Sequence, residues 1–234
     1  MNNTILITAL LPIAILVYYI VRKDKFSPEP PGQLLKAFFF GILSIPVSMC
    51  ISGPLCSLGF FTNDPVTMGE AVATSFYGAA IPEEIAKFLM FWLVVRKNRY
   101  FDERMDGIVY AVCVSLGFAA VENVMYLLSS REAFLSVGIA RALFAVPGHF
   151  CFGIAMGYYY SLARFYPGAS SKTKALVLAA PIVIHGLYDS ILFVSSVTPA
   201  ISGLLTIVFL FFCHKMWKFA SRKIEEHLSR DRFC

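Results

Sequence analysis

Residues 79–92, "AAIPEEIAKFLMFW", set Glu83, Glu84 and Lys87 inside an otherwise apolar stretch. Further along, "GFAAVEN" carries Glu122 and Asn123, Arg141 and His149 share a third apolar stretch, and "HGLYD" holds His185 and Asp189. Carboxylates beside imidazoles are the equipment of general acid–base chemistry: water activation, proton relay or metal ligation. Each ionised side chain at mid-bilayer costs roughly 2.5–3.5 kcal/mol on insertion scales, so these groups need partners or a wet cavity.

Composition shows that a bilayer is their setting. The 234 residues are 58% hydrophobic and only 15% charged, well below the roughly one-quarter charged of a soluble domain. Apolar runs recur at 1–21, 37–63, 107–121, 142–163 and 190–214, and about 20 such residues cross a hydrocarbon core of ~30 Å. The expected fold is all-α, a polytopic transmembrane helical bundle. Seven spans are placed at 4–21, 33–58, 69–95, 107–128, 134–163, 174–194 and 199–216. Residues 1–217 read as one membrane domain and 218–234 as a cytoplasmic tail, a short amphipathic helix on the inner surface. The first span lacks a basic leader and is followed by Arg22-Lys23-Asp24-Lys25, so it reads as an anchor and not as a cleaved signal.

Basic residues orient the bundle. With the N-terminus outside, segments 22–36, 96–105, 164–174 and the tail after 214 face inward, and they carry 17 of the 20 lysines and arginines. The positive charge is thus a topology signal, and no nucleic-acid partner is expected. The six cysteines are scattered without a C-x-x-C and read as small buried hydrophobes.

At ~1.5 Å rise per residue from the inner ends, Glu84, Glu122, His149, His185 and Asp189 all fall ~17–23 Å up, in one slab of the membrane. Spacing refines their roles. Glu83 and Lys87, four apart, share a helix face, which leaves Glu84 freer to act. Pro82 removes a backbone donor and loosens the helix ahead of the pair. His185 and Asp189 also share a face. His149, Gly153 and Gly157 form a stripe that admits a close neighbouring helix. The residues alone suit a water-activating hydrolase, a proton-coupled transporter or a metal site.

"PEEIAK" (82–87), "GFAAVEN" (117–123) and "HGLYD" (185–189) resemble, in order, the E-E-x-x-K, F-x-x-x-E and H-x-x-x-D motifs of the PrsW family of intramembrane proteases, distant relatives of the CAAX prenyl endopeptidases. "FSPEPPGQLLKAFFFG" and "DGIVYAVCVSLGFAAVEN" extend the resemblance over most of the chain. It implies a CAAX-protease-type core and an endopeptidase of the bacterial cell membrane. The implied substrate is a single-span membrane protein such as an anti-sigma factor, cut at site one in a stress response. Carried over, the motifs mark Glu83, Glu84, Lys87, Glu122, His185 and Asp189.

The expected mechanism has Glu84 as general base on water, or Glu83 if Lys87 leaves it free. Glu122 shares a proton with it, and His185, oriented by Asp189, donates to the oxyanion with His149. Lys87, Asn123 and Arg141 support the site. No cofactor is expected. H-E-x-x-H is absent from the sequence, though a zinc enzyme held by Glu84, Glu122, His149 and His185 stays open. The competing readings are a proton-coupled transporter and a non-catalytic membrane helper.

Overall fold

The computed structural model describes residues 3–24 and 27–231; Lys25 of the basic run and the last three residues of the tail lie outside them. The described residues form helices joined by short connections, with no strand among them. The helices are α1 (Asn3–Lys23), α2 (Pro31–Ser57), α3 (Met68–Ala73), α4 (Ile81–Val95), α5 (Arg104–Ser129), α6 (Phe134–Ala140), α7 (Val146–Phe165), α8 (Ser171–Val197) and α9 (Ser202–Asp231).

Six helices are long and apolar enough to cross a membrane: α1, α2, α5, the continuous α6–α7 rod, α8 and α9 with its leading 3-10 turn. The stretch expected as a span over 69–95 is helical from Met68 to Val95 but is broken by a π-helical turn, Thr74–Ala80, that leaves α4 only 15 residues long. Its charged residues set it apart from a lipid-facing helix. The chain is a multi-pass membrane protein.

Two π-turns, Thr74–Ala80 and Arg141–Ala145, end one residue before a proline pair partner, at Ile81-Pro82 and Val146-Pro147. A proline has no N–H and its ring crowds the carbonyl four residues back. The helix answers with one wider turn: the N–H of Ile81 donates to the Phe76 carbonyl, and that of Val146 to the Arg141 carbonyl, each five residues back. Such turns re-aim the side chains that follow. Here those are Glu83 and Glu84 on one helix and His149 on the other.

Helix α5 is the axis. Every residue from Met105 to Ala120 is buried, as befits a helix apolar all round. It packs against α7, α2, α1, α4 and α9. The exposed large apolar residues, among them Ile7, Leu35, Leu204, Ile207 and Phe211, lie on the outer helices α1, α2 and α9, where lipid replaces water as solvent. The glycine stripe on α7 brings α5 close. A Cβ on Gly157 would overlap the Gly107 carbonyl, and one on Gly153 would stand 3.0 Å from the Val112 Cα. Backbone cannot yield as a side-chain tip does, so Gly157→Ala should destabilise the bundle by about 1–3 kcal/mol. A thermal melt in detergent checks this; an unchanged midpoint would mean the two helices can separate freely.

The tail differs from expectation. Through Asp231 it is one helix with the last span, not a separate surface helix. Ala220, Ile224 and His227 are buried, Lys223 donates to the Tyr158 hydroxyl at 3.0 Å, and Asp231 accepts from the Met105 N–H at 2.9 Å. It docks on α5 and α7.

Candidate active site

Four helices deliver the polar groups to one place. From α4, Lys87 is 1% exposed, and its ammonium donates to Glu84 Oε1 at 2.8 Å and Glu83 Oε2 at 3.1 Å. The same ammonium lies 3.3 Å from His149 Nδ1 and 4.1 Å from the Phe118 ring centre. A lysine N–H can only donate, so His149 Nδ1 is the acceptor. Its Nε2–H is then the donor to Glu122 Oε2, 2.7 Å away. This assigns the His149 tautomer from geometry.

From α8, His185 stands among three carboxylates. Its Nδ1 is 2.9 Å from Glu84 Oε1, and its Nε2 is 3.2 Å from Asp189 Oδ2 and 4.0 Å from Glu83 Oε2. The ring is fixed by stacking on Phe152, with centroids 4.5 Å apart. Arg141, in the second π-turn, donates from Nη2 to Glu122 Oε2 at 2.9 Å and from Nε to the side-chain Oδ1 of Asn123 at 2.6 Å. Asn123 passes the link on, donating to the Ala9 carbonyl of α1 at 3.0 Å.

The pairing expected from helix spacing is corrected here. Lys87 is not reserved for Glu83: it holds both glutamates, Glu84 more closely. Glu84 is fully buried, whereas Glu83 keeps a side chain 16% exposed. Glu83 reaches the cavity and Glu84 does not. The cavity measures about 340 Å³, and its polar lining is Glu83, Glu122, Arg141, His149, His185 and Asp189. Apolar walls come from Phe144, Phe152, Tyr188, Leu192 and Phe209. Such a pocket, mostly apolar with a few convergent polar groups, is the usual form of a substrate site. Glu122 is bonded to Arg141 and His149, so the proton-sharing contact expected with Glu84 is replaced by an ion pair and an imidazole.

Residues 29–214 match the PrsW family intramembrane metalloprotease. The chain belongs to this family. It is 32% identical over 235 residues to Protease PrsW of Clostridioides difficile (strain 630), covering 99% of this chain and 94% of that protein. Against Protease PrsW of Bacillus subtilis (strain 168) it is 34% identical over 183 residues, 77% of this chain and 78% of that one. No solved structure matches it. Each of the three motifs thus sends at least one residue, Glu83, Glu122, His185 or Asp189, to the one cavity, and the family is one of membrane peptidases.

The family description names a metal, and the residues present fit one. Glu83, Glu84 and His185 each offer one ligand atom, all within 4.8 Å of one another. Glu84 Oε2 is buried without a hydrogen-bond partner among the described residues, an acceptor that a cation would satisfy. Two oxygens and one imidazole nitrogen suit zinc. This set differs from the one read from sequence: Glu122 and His149 are bonded to each other and lie outside it.

Proposed function

We propose that the chain is an endopeptidase that hydrolyses a peptide bond of a single-span membrane protein, with a water activated by Glu83. The observation that carries this reading is that Glu83 is the member of the glutamate pair that lines the cavity, as Arg141 also does. Glu83 takes the proton of a water in the cavity as it attacks the scissile carbonyl. Lys87, hydrogen-bonded to Glu83 and Glu84 together, holds the base in place. Both ring nitrogens of His149 and of His185 are already engaged, so the oxyanion role expected of them passes to Arg141. Its Nε and Nη2 are bonded, which leaves Nη1 to face a developing negative charge. The protonated Glu83 then gives that proton to the leaving amine as the C–N bond breaks, while His185, held by Asp189 and Glu84, keeps the neighbouring carboxylates in place.

A second reading is favoured by the unpartnered Glu84 Oε2. In it Glu83, Glu84 and His185 hold a zinc ion, which when bound would polarise water and carbonyl as a Lewis acid. The resemblance supports an anti-sigma factor as substrate and release of a sigma factor as outcome. The distribution of basic residues supports an outside N-terminus and a cytoplasmic C-terminus. Purified protein should cleave a membrane-anchored single-span substrate in detergent or liposomes. Activity that survives exhaustive chelation selects the carboxylate mechanism; loss restored by zinc alone selects the metal. Intact substrates under both conditions, across several candidates, would sink the peptidase assignment for this cavity.

A further inference from the structure

A second acidic cluster lies far along α5 from the cavity, where the chain re-enters the bundle. Asp24 follows the last residue of α1, Glu103 caps the start of α5, and Asp106 sits in its first turn. One carboxylate oxygen from each lies within 4.8 Å of the others. Oxygen ligands ~2.4 Å from a shared calcium ion stand at most ~4.8 Å apart, so the three can meet on one ion.

Among the described residues, these carboxylates are short of hydrogen-bond donors. Asp24 is 4% exposed, and among the described residues its carboxylate oxygens lack a conventional donor and stand beside the Glu103 carboxyl. Asp106 is fully buried. Its Oδ2 accepts the N–H groups of Asp102 and Glu103, both at 2.8 Å, while Oδ1 meets no conventional donor among the described residues. Buried polar atoms are nearly always satisfied, and a buried charge needs a partner. Neighbouring charges add to the deficit. Glu29, 6% exposed, receives the Tyr110 hydroxyl and so brings a fourth carboxylate. Arg104 on the same turn is paired with Asp231.

We infer that Asp24, Glu103 and Asp106 form a binding site for a hard divalent cation, calcium or magnesium, that ties the end of α1 to the start of α5. All-oxygen, all-carboxylate ligation selects these ions over zinc or copper. The site is separate from the Glu83, Glu84 and His185 set and independent of which catalytic reading holds. Cation and protons compete for the same oxygens.

The test is thermal unfolding of the full-length protein in detergent, titrated with CaCl2 or MgCl2 against NaCl of matched ionic strength. The expected result is a saturable rise in melting temperature with at least one of the two salts. Asp24→Asn and Glu103→Gln should each weaken that response by about tenfold or more, since affinity follows ligand charge. Both keep side-chain volume, and either one alone suffices should the other fail to fold. Glu83→Gln, which alters the distant cavity, should keep the response. No saturable rise with either salt, or a response that survives in both Asp24→Asn and Glu103→Gln, would overturn the site. So would a response lost in Glu83→Gln, which would place the ion in the cavity.

Discussion

Glu83→Gln should leave a folded protein whose cleavage rate falls by about two to four orders of magnitude, the usual contribution of a positioned general base. The substitution preserves shape, and the amide oxygen still accepts from Lys87. What is lost is the capacity to take a proton from water. Glu84→Gln is expected to behave differently. Its Oε1 receives Lys87 and faces His185 in a fully buried setting, so removal of the charge unbalances the lysine and lowers the melting temperature as well as activity. Paired cleavage and melting measurements on both variants decide the assignment. A Glu84→Gln protein that melts like wild type and is inactive, beside an active Glu83→Gln protein, would reverse the roles.

The convergence of carboxylates and imidazoles was legible because membrane depth is a one-dimensional quantity, set by helical rise from a known boundary. Glu122, His149 and His185 could be placed at one level without knowing which helices touch. Partner choice was not legible, because it is set by rotation and by long-range neighbours. Helix spacing favours the Glu83–Lys87 pair at i,i+4, but Lys87 is held over Phe118, 31 positions along the chain on α5, where it reaches Glu84 and His149 too. Pro82 announced that the backbone would be disturbed ahead of the glutamate pair; only the structure shows a wide turn there and a second one ahead of Pro147. Arg141 appeared as a lone cation in a span, and its bond to Glu122 needed α5 and the α6–α7 rod side by side. The Asp24 cluster escaped because Asp24 sits in a basic run that reads as a topology signal. Its partners lie some 80 residues away.

Lys87→Met should be the most damaging single change to the fold of this site. The ammonium is 1% exposed and answers Glu84, which is fully buried, and Glu83 at once. A thioether of similar length fills the space against Phe118 but leaves the Glu84 carboxylate without a cation. Breaking a buried ion pair from one side costs about 3–5 kcal/mol, because the remaining charge stays desolvated. That is a large share of the ~5–15 kcal/mol that holds a typical domain together. The variant should therefore express poorly, melt lower and lose cleavage. The cause can be isolated by adding Glu84→Gln in the same chain. With the orphaned charge removed, the double variant should recover part of the lost melting temperature, a coupling that a double-mutant cycle measures directly. Activity should stay low in the double variant, since Glu83 would still lack the ammonium that positions it. Additive losses, with Lys87→Met/Glu84→Gln melting below either single variant, would mean that Lys87 acts through packing on Phe118 and not through charge.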